Sequence, residues 1–322
     1  MRKRLLFGFM LFLFLPALAP NQNGSGLAFG QAKVGTAGAQ FLEIGVSARA
    51  VGMGDAFLAV SNDVSALYYN PAGITQLDNL ELMASHIDYP AGITYDFLGA
   101  VYPSARLGGV WGASFYMLNT GDMPLTTYFY PSDEDPFSSN QTFSAKEYAL
   151  ALSYAASLTD RFSVGLTFKF IDENYEEERA MGWAADVGTL YNTGFRGFKI
   201  AMVISNFGPD LKFIQMSHPL PMNFKFGGSM DLINNGSHKA TLALEGSHPN
   251  DNLEKFNTGV EYSYNDLLAL RAGNHFENNA GGFSFGAGLK LKLSKTKVGF
   301  DYSYHDFGYL TQIHRFSISV KM

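Results

Sequence analysis

From about residue 80 onward the chain alternates between large apolar residues and small or polar ones, segment after segment. No other feature limits its fold as much. Phe283, Phe285, Ala287, Leu289, Leu291 and Leu293 share one parity, and Ser284, Gly286, Gly288, Lys290 and Lys292 the other. Val298, Phe300, Tyr302 and Tyr304 alternate with Gly299, Asp301 and Ser303, and Phe316, Ile318, Val320 and Met322 with Arg315, Ser317, Ser319 and Lys321. Phe162 to Phe170 repeats the pattern against Ser163, Gly165, Thr167 and Lys169. Successive side chains of a strand point to opposite sides, so a period of two predicts strands with one apolar face.

Two architectures accept such strands: a soluble sandwich with the apolar faces inward, and a membrane barrel with them outward. Three features favour the barrel. The opposite face is mostly Gly, Ser and Ala with few charges, and only 16% of the chain is charged, against about 25% in soluble domains. Aromatics recur near strand ends at Tyr191, Tyr264, Tyr302 and Tyr304, as in an interfacial girdle. An export signal also precedes the strands.

The segments number about fourteen, near 80–89, 92–102, 107–119, 144–157, 162–171, 181–192, 198–205, 221–230, 239–246, 256–263, 267–274, 282–293, 297–304 and 310–322. An even count places both termini on the periplasmic side of a bacterial outer membrane. Short links at Ser104–Leu107, Leu158–Arg161, Thr193–Gly197, Tyr264–Asp266 and Ser294–Lys297 alternate with longer ones at Thr120–Ser144, Asp172–Ala180, Asn206–Pro221, Ser247–Lys255 and His275–Gly281. Charge follows the same parity. The long links hold Asp133, Glu134, Asp135, Asp172, Glu173, Glu176, Glu177 and Glu178, and the short ones Arg106, Arg161, Arg196, Lys295 and Lys297. A sandwich has no reason to sort its loops in this way.

Residues 1–30 read as a signal peptide: Arg2, Lys3 and Arg4 precede an apolar run from Leu5 to Leu18, with cleavage expected near 30–32. Removing these three positive charges, with no acids, takes the formal charge from −6 to −9, which disfavours nucleic acid as a partner. There is no cysteine, hence no disulfide and no thiolate metal site. Between leader and strands lies a different stretch, Phe41 to Ile74. Gly45, Gly52 and Gly54 interrupt any helix, Ser47–Ala48–Arg49–Ala50 breaks any strand, and Asn70–Pro71–Ala72–Gly73 closes it with a turn. Small residues at this density let backbone pass close to backbone. Residues 31–78 are therefore expected to form a compact plug, and 79–322 a single transmembrane antiparallel β-barrel.

The run FLEIGVSARAVGMGDAFLAV, followed by Asp63–Val64–Ser65–Ala66–Leu67–Tyr68–Tyr69–Asn70–Pro71–Ala72–Gly73, closely resembles the N-terminal signature of the PorV/PorQ family, which is related to FadL-type channels. Weaker likenesses occur at Leu220–Pro221 with Phe224–Lys225–Phe226–Gly227, and at Asp306–Phe307–Gly308 with His314–Arg315–Phe316. The resemblance implies a fourteen-stranded outer-membrane barrel with an inner N-terminal segment. It also implies work in type IX protein secretion, as a shuttle or as a component of the complex that attaches cargo to the surface. The alternative it leaves open is a FadL-like channel for hydrophobic small molecules such as fatty acids. There Met53, Phe57 and Tyr69 would gate an apolar pocket. Gly52, Met53, Gly54, Phe57, Asp63, Tyr69, Asn70, Pro71 and Gly73 are the plug residues with a structural or gating role. Outer-membrane lipid is the expected surrounding, with secretion components and cargo proteins as partners in the first reading.

Catalysis is not expected. The seven His include no zinc spacing. His314 and Ser317, near Asp301, differ by three along a strand and face opposite sides. The acidic links lack EF-hand spacing and read as a solvated rim, so no metal or cofactor is expected. Glu147, Lys169, Asp186, Glu245, Glu261, Arg271, Lys290, Asp301 and Arg315 all have inward parity. Paired across strands, Glu261 with Arg271 and Asp301 with Arg315, they predict an ion-paired lumen with no open pore.

Overall fold

The computed structural model describes residues 34–104, 106, 108–124, 142–176, 178–276, 282–308 and 311–322. The expected signal peptide, the acidic residues Asp133, Glu134 and Asp135, and Glu177 lie outside the described residues.

Fourteen strands close one antiparallel barrel in chain order. They are β1 Glu81–Asp88, β2 Thr94–Ser104, β3 Gly109–Asn119, β4 Ala145–Thr159, β5 Phe162–Tyr175, β6 Glu178–Asn192 and β7 Lys199–Phe207. The ring continues with β8 Asn223–Asn234, β9 His238–Pro249, β10 Lys255–Tyr264, β11 Leu268–Phe276, β12 Phe283–Leu293, β13 Thr296–Asp306 and β14 Gln312–Lys321. β1 pairs with β2 on one side and β14 on the other, with Glu81 opposite Lys321. Their side chains meet at 2.6 Å, so an ion pair pins the register of the closing seam. Closure removes the edges that would otherwise leave backbone groups unpaired in lipid.

Burial is inverted relative to a soluble core. Along β12, Phe283 and Phe285 are exposed while Ser284 is buried; along β5, Phe168 and Phe170 are exposed and Thr167 and Lys169 are buried. Along these strands the apolar parity faces out and the polar parity in, which is what a lipid solvent selects.

The fourteen expected segments correspond one to one with these strands. The largest departure is the link expected at Asp172–Ala180. β5 runs on to Tyr175 and β6 begins at Glu178, so the expected link is largely taken up by strand. Asp172 and Glu173 are therefore strand residues. Asp172 pairs with Arg179 at 2.6 Å, and Glu173 points inward and is buried. Charge density marked this stretch as a loop. Cross-strand pairing and an inward partner, the Ala39 N–H that Glu173 accepts at 2.9 Å, keep it extended.

Residues 34–80 contain only short helical turns: Gln40–Glu43, Ala48–Gly52, Ala66–Tyr69 and Pro71–Gln76. They pack against the inner face of the strands in two ways. Toward β1–β3, Met83, Ile87, Tyr95, Phe97 and Tyr116 share a buried apolar cluster with Leu42, Val46, Phe57 and Leu67. Toward β9–β14 charged side chains and bare backbone add to this, while Ala243 and Ile313 join the same apolar cluster.

Candidate functional site inside the barrel

Arg49 is the centre of the charged half. It stands on the five-residue helix Ala48–Gly52, whose start is fixed by Ser47 Oγ accepting from Ala50 N–H. Its guanidinium donates to both carboxylate oxygens of Glu261 at 2.7 and 2.8 Å, to Asp63 at 2.7 Å and to Asn62 at 2.8 Å. Glu261 also accepts from Arg271 at 2.7 Å, and Arg271 reaches Asp301 at 2.6 Å. Three carboxylates thus surround two guanidiniums in a buried chain that ties the N-terminal segment to β10, β11 and β13. A fork-shaped guanidinium suits this better than an ammonium, because it satisfies two oxygens at once.

The expected pair Glu261–Arg271 is present, whereas the expected pair Asp301–Arg315 is not. Ser317 stands opposite Asp301, and Arg315 stands opposite Ser303. Asp301 instead reaches across β12 to Arg271. Arg315 donates to the Gly45 carbonyl at 3.2 Å and to the Tyr89 hydroxyl at 3.3 Å. The inward carboxylate and guanidinium sit two registers apart, and the N-terminal segment offers Arg315 a nearer acceptor.

The remaining residues singled out from the sequence are held closely by the wall. A Cβ added to Gly259 of β10 would lie 2.1 Å from the Met53 carbonyl oxygen, and one on Gly273 of β11 would lie 2.1 Å from Gly54 N. Only glycine permits that approach. Gly52 lies against Gly286 of β12, and Gly54 N–H donates to Ser284 Oγ at 3.1 Å. Phe57 and Leu58 donate their N–H groups to Glu245 at 3.1 and 3.0 Å. Pro71 sits over Gly165 and Gly188, and Gly73 is pressed against the Ser61 carbonyl.

Asn70 bridges these parts. Its amide donates to Leu58 O at 3.2 Å and to Thr189 O of β6 at 3.1 Å, while its Oδ1 accepts from Ala72 N–H at 3.0 Å. Asn70→Ala removes all three of these hydrogen bonds. We expect a loss of about 1–3 kcal/mol, read as a lower midpoint of heat unfolding in detergent; an unchanged midpoint would show that Asn70 is dispensable.

Sequence reasoning missed two things. Arg49 itself was visible only as an interruption of the alternation. Asn206, inside β7, has φ 59° and sits at a bulge opposite Asp186. Asp186 accepts the Asn206 N–H at 2.8 Å, and Lys169 lies 2.8 Å from Asp186 and 2.7 Å from the Asn206 side chain. A polar residue amid the apolar run of β7 was the one available signal.

Above the N-terminal segment, on the side of the long links, lies a chamber of about 440 Å³. Glu43, Asp55, Tyr69, Lys225, Glu245, Lys255, His275, His305 and Arg315 line it. Tyr69 donates to Asp55 at 2.7 Å. Burial pushes the Asp55 carboxyl up, but His275, Arg315, the Tyr69 hydroxyl and His305 outweigh burial and hold it below the usual carboxylate range. Burial, reinforced by Asp251, raises Glu43, and Lys255 offsets this only in part. Among the described residues no cluster of three or more His, Asp or Glu is placed to hold a metal ion.

Closed strands with apolar side chains outward around an occupied interior define an outer-membrane β-barrel. Solved structures agree on the fold. The toluene transporter TbuX of Ralstonia pickettii matches with a TM-score of 0.57 at 14% identity, over 86% of this chain and 97% of that one. The monoaromatic hydrocarbon channel CymD gives 0.55 at 13% identity, over 86% and 96%. The toluene transporter TodX of Pseudomonas putida gives 0.55 at 12% identity, over 86% and 97%. At such identities the likeness is one of fold. No curated protein sequence matches the chain. The chain belongs to the PorV family of type IX secretion system proteins, whose model matches residues 28–248. It is thus an outer-membrane barrel of type IX secretion, as the stretch Ala39–Ile74 led us to expect.

Proposed function

We propose that the protein works as a closed barrel that offers its outer rim to the proteins of the secretion system. In this reading it serves as a shuttle for cargo or as a component of the surface-attachment complex. The observation that carries the proposal is the filled interior. Residues 34–78, the described part of the expected plug, act as that plug, held by the Arg49 ion chain and by backbone seated on Gly259 and Gly273. Opening a pore through that contact requires breaking buried ion pairs, which costs several kcal/mol. A route for hydrophobic small molecules, the reading taken from the toluene and hydrocarbon channels, needs an apolar passage. The chamber lining is instead mostly charged, amide and hydroxyl groups.

Affinity purification from the native outer membrane, with mass spectrometry of proteins and lipids, tests this. Secretion-system subunits or sorted cargo are the expected companions. A clean barrel carrying a stoichiometric hydrophobic ligand would overturn the proposal in favour of transport.

The orientation we propose places both termini in the periplasm, after removal of a leader near residues 30–32. The short links at 160–161, 265–267 and 294–295 lie at the same end as the start of β1 and the end of β14, as expected for periplasmic turns. A tag at the C-terminus should resist protease added to intact cells, while one inserted at 208–210 should be cut. Cleavage of the C-terminal tag alone would reverse the orientation.

A further inference from the structure

Among the described residues, the chamber contains buried polar side-chain atoms that no protein group satisfies. Arg315 is nearly fully buried. Its Nε and Nη2 are held by Gly45 O and Tyr89 OH, and its guanidinium lies 5.7 Å over the Tyr89 ring. Its Nη1 is buried and has no hydrogen-bond partner. On the neighbouring wall, the His275 and His305 rings stack with centroids 4.6 Å apart. His275 Nε2 and both ring nitrogens of His305 are also buried and without a partner. Phe307 packs its edge against His305 and against Tyr89 and completes an aromatic surround. All these side chains line the same chamber.

A buried guanidinium edge without an acceptor is costly, and groups left in this state in a folded protein need an explanation. The donor set selects the chemistry. Arg315 can only donate, so a cation or metal ion is disfavoured on its free edge. A planar carboxylate can accept from Nη1–H with one oxygen and from an imidazole N–H with the other. Gln40, Asn206, Asn223, Asn252 and Asn257 add amides elsewhere on the lining, which suits a polar body and not an acyl chain. Three carboxyl groups on the lining oppose such a ligand: Glu43 and Glu245, and Asp55, which is nearest to these donors, its Oδ2 4.0 Å from His275 Nε2.

We infer that this chamber binds a polar, carboxylate-bearing ligand through the free edge of Arg315 and the His275–His305 pair. Asp55 is the internal competitor for the same donors. The site is distinct from the outer rim offered to secretion partners, and it stands whether or not that rim docks cargo.

The test uses the full chain in detergent with ring-¹⁵N-labelled histidine. Sodium acetate is titrated against sodium chloride at matched ionic strength, and histidine signals are assigned with H275Q and H305Q. His86, on the outer wall beside Asp96, is the reference. The His275 and His305 ring resonances should shift saturably with acetate and not with chloride. Arg315→Gln should raise the midpoint at least about tenfold, the worth of a charged hydrogen-bond pair. Asp55→Asn should lower it by about threefold, since it removes a like charge from the site. That gain is a change a merely structural role for these residues would not produce. Arg315→Lys, which retains the charge without the fork, should fall between wild type and Arg315→Gln, and it replaces R315Q if that variant fails to assemble. Trialanine with a free carboxyl, compared with its amide, separates the two sources. Tighter binding of the free form than of acetate identifies a peptide end, and equal binding identifies a small acid. A non-saturating drift shared with His86, or midpoints unchanged in both R315Q and D55N, overturns the inference.

Discussion

Arg49→Met is expected to destabilise the folded barrel by about 3–5 kcal/mol, the usual result of removing one partner from a buried ion network. Three observations set that size. Arg49 and Arg271 are the only guanidiniums bonded to Glu261 among the described residues. Both carboxylate oxygens of Glu261 lean on Arg49, and its side chain is 12% exposed. Asp63, at 20% side-chain exposure, recovers part of its solvation when Arg49 leaves, so most of the loss falls on Glu261. The methionine stem retains much of the packing that Arg49 makes against Phe57, whose ring lies 5.1 Å below the guanidinium. The change therefore reports charge and not volume. Arg49→Lys should fall between the two, because an ammonium keeps the charge but cannot hold both oxygens of Glu261 and Asp63 together. Urea unfolding in detergent, followed by the outer-wall tryptophans Trp111 and Trp183, measures each variant. A loss of under about 0.5 kcal/mol for Arg49→Met would show that solvent screens the chain as it does a surface pair.

The second large effect is expected at Gly273. Valine there brings its Cβ to 2.1 Å from Gly54 N and 2.2 Å from the Met53 carbonyl carbon. The obstructing atoms are backbone on both sides, so no rotamer change relieves the overlap. Overpacking usually costs about 1–3 kcal/mol, and more where nothing yields. We expect residues 38–77 to lose their seat and to be cut by protease while the strands survive. Gly228→Ala is the matched control, since its Cβ would find its nearest neighbours at 3.4 Å. Equal protease resistance in Gly273→Val and wild type would mean that the segment is not held at this contact. Combined with Arg49→Met, the losses should fall short of additive, because both changes release the same segment from the same strands.

How much was legible in the chain depends on the range of the interaction. A strand in lipid announces itself locally, because each residue's side is fixed by its neighbour's. Fourteen segments and the inward parity of all nine lumen charges followed from that rule alone. The turn Asn70–Pro71–Ala72–Gly73 was legible for the same reason. The extent of the hairpin formed by β5 and β6 was not, because acidic residues beyond Phe170 resemble a loop until Glu173 is seen to meet Ala39, 134 residues away.

The sequence by itself determined the class of fold, the sides of the strands and, through Ala39–Ile74, the family. Tertiary structure alone decided which charges pair and which glycines are seats. Arg49 and Glu261 are 212 residues apart, and nothing in either neighbourhood names the other. Asp301 chose Arg271 over Arg315 because strand register and the course of the N-terminal segment set distances that parity does not encode. Nor does parity show that the Arg315 edge and the His275–His305 rings are left without protein partners in one chamber. Period-two patterning says which side a residue faces, and only closure of the ring around residues 34–80 says what it meets there.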